Sequence, residues 1–181
     1  MTMLRRQFLK GLVATAAACA LPIQIAYAKT FLTIEQAKEL MLPGKKLTKI
    51  PITLTQEQDK LIEELSDVRV RHEVMNVYKS DQSDWFIVDQ VIGKHENIDL
   101  AVTLDIEGKV TGIEVLTYRE TYGDQIMHPK WRAQFYGKDA SEHLSLDEQI
   151  RNISGATLSC AHVTDGINRL TQTWAIVLSK L

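Results

Sequence analysis

Cysteine is scarce in this chain of 181 residues, which has only Cys19 and Cys160. A disulfide framework of the kind that stabilises small secreted domains is not expected, so the hydrophobic core must supply the stability. The chain also lacks a Cys-x-x-Cys-His motif, which excludes c-type haem attached through that motif. The histidines show no tight metal-ligand spacing, and no metal site is predicted. They are His72, His95, His128, His143 and His162.

A strong charge of one sign and low-complexity segments are also absent. The formal net charge is −2, whereas proteins that bind phosphate backbones carry dense patches of lysine and arginine. Nucleic acid is therefore not expected as the main partner. No internal repeat or long linker divides the chain, which is 45% hydrophobic and 24% charged. Such values predict one soluble globular domain with a sizeable core.

The N-terminal residues have no apolar run long enough to span a bilayer comfortably, but they show the three parts of an export signal. Basic residues come first, the apolar run 11–21 follows, and Ala26-Tyr27-Ala28 forms a small-x-small cleavage pattern. Within the basic part, Arg5-Arg6-Gln7-Phe8-Leu9-Lys10 resembles the twin-arginine signal. We expect residues 1–28 to direct export to the periplasm by the twin-arginine route, leaving residues 29–181 as a single domain.

Two other interpretations of the N-terminus stay open. An ordinary Sec signal can also contain two adjacent arginines. A lipoprotein would be acylated at Cys19, which follows Ala16-Ala17-Ala18. Association with a membrane is expected only through partners or through an uncleaved signal.

The mature chain is predicted to begin with two short helices. Thr33 and Thr55 each precede a glutamine by three residues, the capping-box pattern of a helix start. The first helix is expected to end near Pro43-Gly44, and the second carries Leu61, Ile62 and Leu65.

Alternating apolar residues then predict β-strands. One half-buried strand is expected from Val68 through Tyr78, and a second from Trp85 to Ile92. Alternation from Ile98 to Ile106, a turn at Glu107-Gly108-Lys109 and a return from Val110 predict a hairpin.

The last part of the chain is predicted to be helical. Pro129 suits the first turn of a helix that carries Trp131 and Phe135 and stops at Gly137. A longer C-terminal helix has apolar residues at spacings of three and four, on one face that packs against the sheet. These residues are Cys160, Val163, Ile167, Leu170, Trp174, Val177 and Leu181. The predicted fold class is therefore α+β, a mainly antiparallel sheet packed by helices.

The start of this long helix is a candidate phosphate site. Unpaired backbone N–H groups and the positive end of the helix dipole meet there, and both stabilise a phosphate. Ser154, Thr157 and Ser159 supply hydroxyl groups, and Gly155 allows close backbone approach. On physical grounds alone, the alternative is a Ser154 N-cap with a tight turn.

Two motifs resemble the FMN-binding domain family, which includes flavin subunits of sodium-pumping NADH:quinone reductase and of the Rnf complex. Ser154-Gly155-Ala156-Thr157 is similar to the family's flavinylation motif. Upstream, Glu120-Thr121-Tyr122-Gly123, then Trp131, then Phe135-Tyr136-Gly137-Lys138 are similar to its Glu-Thr-x-Gly loop and the Trp, Phe and Gly-Lys that follow. The resemblance covers about residues 99–169.

The resemblance implies a periplasmic electron carrier with FMN esterified through its phosphate to Thr157. A dedicated FMN transferase that uses FAD would attach it. Ser154, Gly155, Ala156, Leu158 and Ser159 would surround the phosphate, and Glu120, Thr121, Tyr122 and Gly123 would line the flavin site. Trp131 is a further candidate for contact with the ring, and a membrane or haem protein is the implied redox partner.

The sequence departs from the family pattern at two places. Arg151 stands where the family commonly has Asp, three residues before the motif, and this bears on recognition by the transferase. Tyr122-Gly123-Asp124-Gln125 replaces the Pro-Gly-Leu-Gly of the larger subunits. The alternative function is a module of the same fold that binds a phosphate-bearing ligand noncovalently or has no redox role. A stand-alone reductase is ranked lower because no second cofactor site or acid–base pair is evident.

Overall fold

The computed structural model describes residues 29–181, with side chains from Phe31 onwards. Its strands are β1 (Lys29–Thr30), β2 (Leu47–Thr53), β3 (Val74–Ser80), β4 (Trp85–Ile92), β5 (Asn97–Leu104) and β6 (Val110–Tyr118). Its α-helices are α1 (Ile34–Met41), α2 (Gln56–Ser66), α3 (Pro129–Arg132) and α4 (Thr157–Ile176). Short 3₁₀ turns cover Asp124–Met127, Ala133–Phe135 and Leu178–Lys180. The predicted export signal lies outside the described residues.

The strands form one antiparallel sheet in the order β1-β6-β5-β4-β3-β2. The larger core lies on one face, where α2 and α4 pack, and includes Val77, Ile87 and Ile167. A smaller core on the other face contains Ala37 of α1 and Phe86 of β4. The predicted α+β class, with an antiparallel sheet and a long C-terminal helix, is confirmed.

Both predicted capping boxes are present. The side chains of Thr33 and Thr55 accept hydrogen bonds from the backbone N–H groups of Gln36 and Gln58, each at 3.2 Å. The glutamine side chains accept from the two threonine N–H groups at 2.9 Å. Because the hydrogen bonds of each box lie within four consecutive residues, the local sequence determines where each helix begins.

The predicted strand from Val68 is wrong in its first half and in its buried face. Residues 68–73 form an irregular segment, here named the strap, and β3 begins only at Val74. The strap is held by tertiary contacts: Val70 N–H donates to Glu63 Oε1 at 2.8 Å, and Arg169 donates to the Arg69 carbonyl at 3.3 Å. Within β3 it is Val77 that is fully buried, while Val74 is 72% exposed.

Strand β2 is absent from the sequence-based prediction. Among residues 29–181 it pairs only with β3, and it contains Pro51, which a strand tolerates at the edge of a sheet. Its lysine and proline interrupt the apolar alternation on which the prediction depends.

The C-terminal helix largely follows its predicted face. Cys160, Val163, Ile167 and Leu170 are all at most 2% exposed. Leu181, however, is 61% exposed and lies beyond the end of α4, so its assignment to the buried face is wrong. No helix among residues 29–181 is both long and apolar enough to cross a membrane.

Candidate functional site

The Ser-Gly-Ala-Thr segment forms the sharp entry into α4. Gly155 has a φ of 86°, a left-handed conformation that favours glycine. The N–H of Ala156 donates to the carbonyl of Ile153 at 2.9 Å, and Thr157 is the first helical residue. Ala156 is the N-cap and supplies no side-chain cap, so the alternative of a Ser154 N-cap is wrong.

The first turn of α4 has unpaired donors. Within residues 29–181, the N–H groups of Thr157, Leu158 and Ser159 have no protein hydrogen-bond acceptor, whereas the N–H of Cys160 already bonds to the Ala156 carbonyl at 2.9 Å. Thr157 is exposed, and Ser159 is 4% exposed. Free amides at the positive end of a 20-residue helix fit a phosphate group beside the Thr157 hydroxyl.

A cleft of about 470 Å³ joins this helix start to the upstream motif. Most of the predicted site residues line it together, although they are far apart in sequence. The lining residues are Lys94, His95, Glu120, Thr121, Tyr122, Gly155, Ala156, Thr157, Leu158 and Ser159. Lys94 and His95 were not predicted. They lie in the short connection between β4 and β5, where Gly93 was the only available signal of a tight turn.

Glu120 holds this connection in place. Its Oε1 accepts hydrogen bonds from the backbone N–H groups of His95 and of Glu96, the latter at 2.9 Å. A Cβ atom on Gly93 would lie 2.4 Å from the same oxygen, so the carboxylate occupies space that only glycine leaves open. Burial alone would raise the pKa of Glu120, but the two N–H donors outweigh it and lower the pKa below the ordinary value.

We expect Glu120→Ala to loosen the Gly93–Glu96 connection and to lower stability by about 1–3 kcal/mol, because two N–H groups lose their acceptor. Since the folded pKa is lowered, the stabilisation by Glu120 is present above the unfolded pKa and is lost as the pH falls through the folded pKa. Urea unfolding at neutral and acidic pH measures both effects. Glu120→Gln, which keeps an acceptor oxygen, is the control, and equal losses in both variants would contradict this role.

A tyrosine links the two motifs. The Tyr118 hydroxyl donates to the Tyr122 carbonyl at 2.5 Å and lies 3.2 Å from Ser159 Oγ. Burial raises the pKa of this hydroxyl above its ordinary value. Gly123 has a φ of 92°, and a Cβ there would lie 2.7 Å from the Tyr118 hydroxyl. Gly123 and Ser159 therefore support the cleft by fixing the loop against the helix start.

Trp131 lies in a different groove from the cleft. It is 6% exposed, its ring meets Phe135 edge-on at 5.2 Å, and its Nε1–H donates to the Arg151 carbonyl at 2.7 Å. The N–H of Arg151 in turn donates to Gln134 Oε1 at 2.8 Å. From this position Trp131 holds the Arg151 segment, which precedes the Ser-Gly-Ala-Thr motif. Such a role is favoured over contact with a flavin ring, because Trp131 does not line the cleft.

Cys160 follows the Ser-Gly-Ala-Thr motif but faces the core. It is fully buried, and burial raises the pKa of its thiol, which disfavours the reactive thiolate. Among residues 29–181, no cluster of three or more His, Cys, Asp or Glu side chains could hold a metal ion.

The helix start, the exposed Thr157 and the cleft together form the candidate binding site. Residues 93–172 match the FMN-binding domain family, and residues 5–22 match the signal sequence of the twin-arginine translocation pathway. The chain therefore contains an FMN-binding domain and is exported to the periplasm, which confirms the resemblance identified in its sequence. No curated protein matches the chain significantly.

Proposed function

We propose that this protein is a periplasmic electron carrier whose FMN is joined through its phosphate to the hydroxyl of Thr157. The observation that carries the proposal is the position of Thr157. Its exposed side chain lies in the cleft, at the first residue of α4, beside three N–H groups that lack protein acceptors. A phosphate attached there accepts hydrogen bonds from these N–H groups and is also stabilised by the positive end of the helix dipole.

The attachment is a phosphoryl transfer catalysed by a separate FMN transferase with FAD as donor. Thr157 Oγ1 forms the new bond to the flavin-side phosphorus, the pyrophosphate bond breaks, and AMP leaves with the proton of the hydroxyl. Residues of this chain present the acceptor: Gly155 shapes the entry, and the free N–H groups stabilise the phosphate. Ser154 remains a candidate for an added hydrogen bond, since its side chain is exposed next to Gly155.

The cleft also has apolar surface to offer a flavin ring. Tyr122 is 80% exposed and Leu158 is 47% exposed, and both line the cleft. Covering such surface stabilises a complex by roughly 25 cal/mol per Å² removed from water. Lys94 adds a cation at the cleft, which favours an anionic group nearby.

Electron transfer is the role that fits a tethered flavin in an open cleft. The flavin would supply the redox chemistry, while the protein supplies attachment, orientation and charge. A membrane or haem protein is the proposed redox partner, because an exposed cleft lets a second protein approach the flavin edge. An electron-transfer protein is thus favoured over a stand-alone, substrate-specific enzyme.

Mass spectrometry of the exported protein tests this proposal. We expect the peptide that contains Thr157 to carry FMN less one water, and the yellow colour to survive acid precipitation. The same protein produced without the transferase is the control and should lack the adduct. A flavin that is released by acid, with an unmodified peptide, would support the noncovalent binding module instead.

A further inference from the structure

A second groove lies beside the flavin cleft and shares no lining residue with it. It has a volume of about 430 Å³ and lies between the strap and α4. Its apolar lining residues are Val68, Val70, Val91 and Ile92. At its floor, helix and strand approach so closely that a Cβ on Gly166 would lie 2.6 Å from Val91 Cγ1. The groove is large enough for a molecule with a single aromatic ring.

Two polar side chains of α4, His162 and Asp165, also line this groove. His162 Nδ1 is buried and has no hydrogen bond, and within residues 29–181 the Asp165 carboxylate has neither a hydrogen bond nor an ion pair. An unmade hydrogen bond at a buried polar atom is costly, and a ligand that supplies the missing partner recovers that cost. The unpaired His162 Nδ1 in a partly apolar groove therefore indicates a binding site, whereas the Asp165 carboxylate opposes an anion there.

The charge at this groove is positive. Arg69 and Arg71 of the strap both line it and are exposed. Over the described chain, the Arg69 guanidinium has no partner, and Arg71 makes only one long hydrogen bond, 3.4 Å to Asn97 Oδ1. Arg169 also lines the groove but is already paired with Asp89. Two guanidinium groups thus remain available to an anion.

Asp165 sets how this charge depends on pH. Burial raises the pKa of Asp165 above its ordinary value, and Asp67 acts in the same direction, while His162, His143 and Arg169 oppose the shift. The strap adds Arg69 and Arg71, and β4 contributes only apolar side chains to the groove. As the pH falls, Asp165 becomes neutral and the groove becomes more positive.

We propose that the groove between the strap and α4 binds a small organic anion with an apolar body. The apolar body lies against Val68, Val91 and Ile92, and the anionic group is held by Arg69, Arg71 and His162. This site is separate from that of the flavin, and it does not depend on how the flavin is attached.

Benzoate is a suitable probe, with benzyl alcohol as its uncharged counterpart. We expect benzoate to shift the imidazole C–H resonances of His162 saturably, with a Kd on the order of 1 mM. The spectra are recorded on the flavin-loaded mature protein, and His162→Gln assigns the resonance. Benzyl alcohol should bind about tenfold more weakly, because it cannot pair with the arginines.

Three variants separate the contributions to binding. Ile92→Trp fills the groove from an exposed position and should abolish the shift, and Arg69→Gln should weaken benzoate about three- to tenfold. Lys60→Gln removes a positive charge from an exposed site on α2 and should leave the affinity unchanged. Asp165→Asn should tighten binding about threefold at neutral pH and flatten the rise in affinity that wild type shows at lower pH.

Equal affinity for benzoate and benzyl alcohol would overturn the proposal, as would unchanged affinity in Ile92→Trp. Binding by Thr157→Ala but not by the flavin-loaded protein would assign the groove to the flavin and also overturn it. Because binding is measured with and without flavin, failure of the anion site is distinct from failure of flavin attachment.

Discussion

Replacement of Thr157 by alanine is expected to remove all covalently bound flavin. The variant loses the one hydroxyl at the first residue of α4, so no phosphoester can form there. Its fold should be retained, because Thr157 is exposed and its side chain makes no hydrogen bond within residues 29–181. The variant is co-expressed with the transferase and run on a denaturing gel. Flavin fluorescence of the protein band then shows whether covalently bound flavin is present or absent.

Matched variants make this result specific. Thr157→Ser keeps a hydroxyl at the same helical position and should retain covalent flavin, while Ser154→Ala tests the neighbouring hydroxyl and should also retain it. Ser159 is less suitable as a control because its Oγ lies 3.2 Å from the Tyr118 hydroxyl. A fluorescent Thr157→Ala protein would place the attachment elsewhere and refute the proposed site.

The buried ion pair between Arg169 and Asp89 is expected to give the largest loss of stability. The Arg169 side chain is 7% exposed and that of Asp89 is 18% exposed. Arg169→Met leaves the Asp89 carboxylate without its partner, and such a change typically costs about 3–5 kcal/mol. It also removes the hydrogen bond to the Arg69 carbonyl, which helps hold the strap. Urea unfolding of wild type and variant measures the difference.

Two controls distinguish this pair from an ordinary surface pair. Asp89→Leu combined with Arg169→Met removes both charges and should be less destabilised than Arg169→Met alone. Lys109→Met breaks the exposed pair with Glu107, whose side chains are 42% and 67% exposed, and should cost less than about 1 kcal/mol. Equal losses in Arg169→Met and Lys109→Met would contradict the buried-pair explanation.

Features of the candidate site differ in how far the sequence predicts them. Thr157 and Glu120 belong to motifs that can be identified from neighbouring residues. Lys94 and His95 are found only in the structure, because the connection that carries them is positioned by Glu120, 24 to 25 residues away. Trp131 is identifiable as part of a motif, yet its position beneath the Arg151 segment depends on tertiary packing.

The sequence by itself determined the elements whose signals are local. The capping boxes at Thr33 and Thr55, the β5–β6 hairpin and the apolar face of α4 each depend on residues within a few positions of one another, or on a regular period. The suitability of the α4 start for a phosphate is also a local property, since free N–H groups accompany any helix N-terminus.

Tertiary structure alone decided the features that join distant parts of the chain. The strap has the alternating apolar pattern of a strand but is not part of the sheet. Its backbone instead forms hydrogen bonds with the side chains of Glu63 and Arg169. The edge strand β2 forms because β3 supplies its partner. Both grooves arise where α4 crosses other elements, and the pairing of Arg169 with Asp89 spans 80 residues. Such contacts depend on burial and on partners that no local pattern encodes.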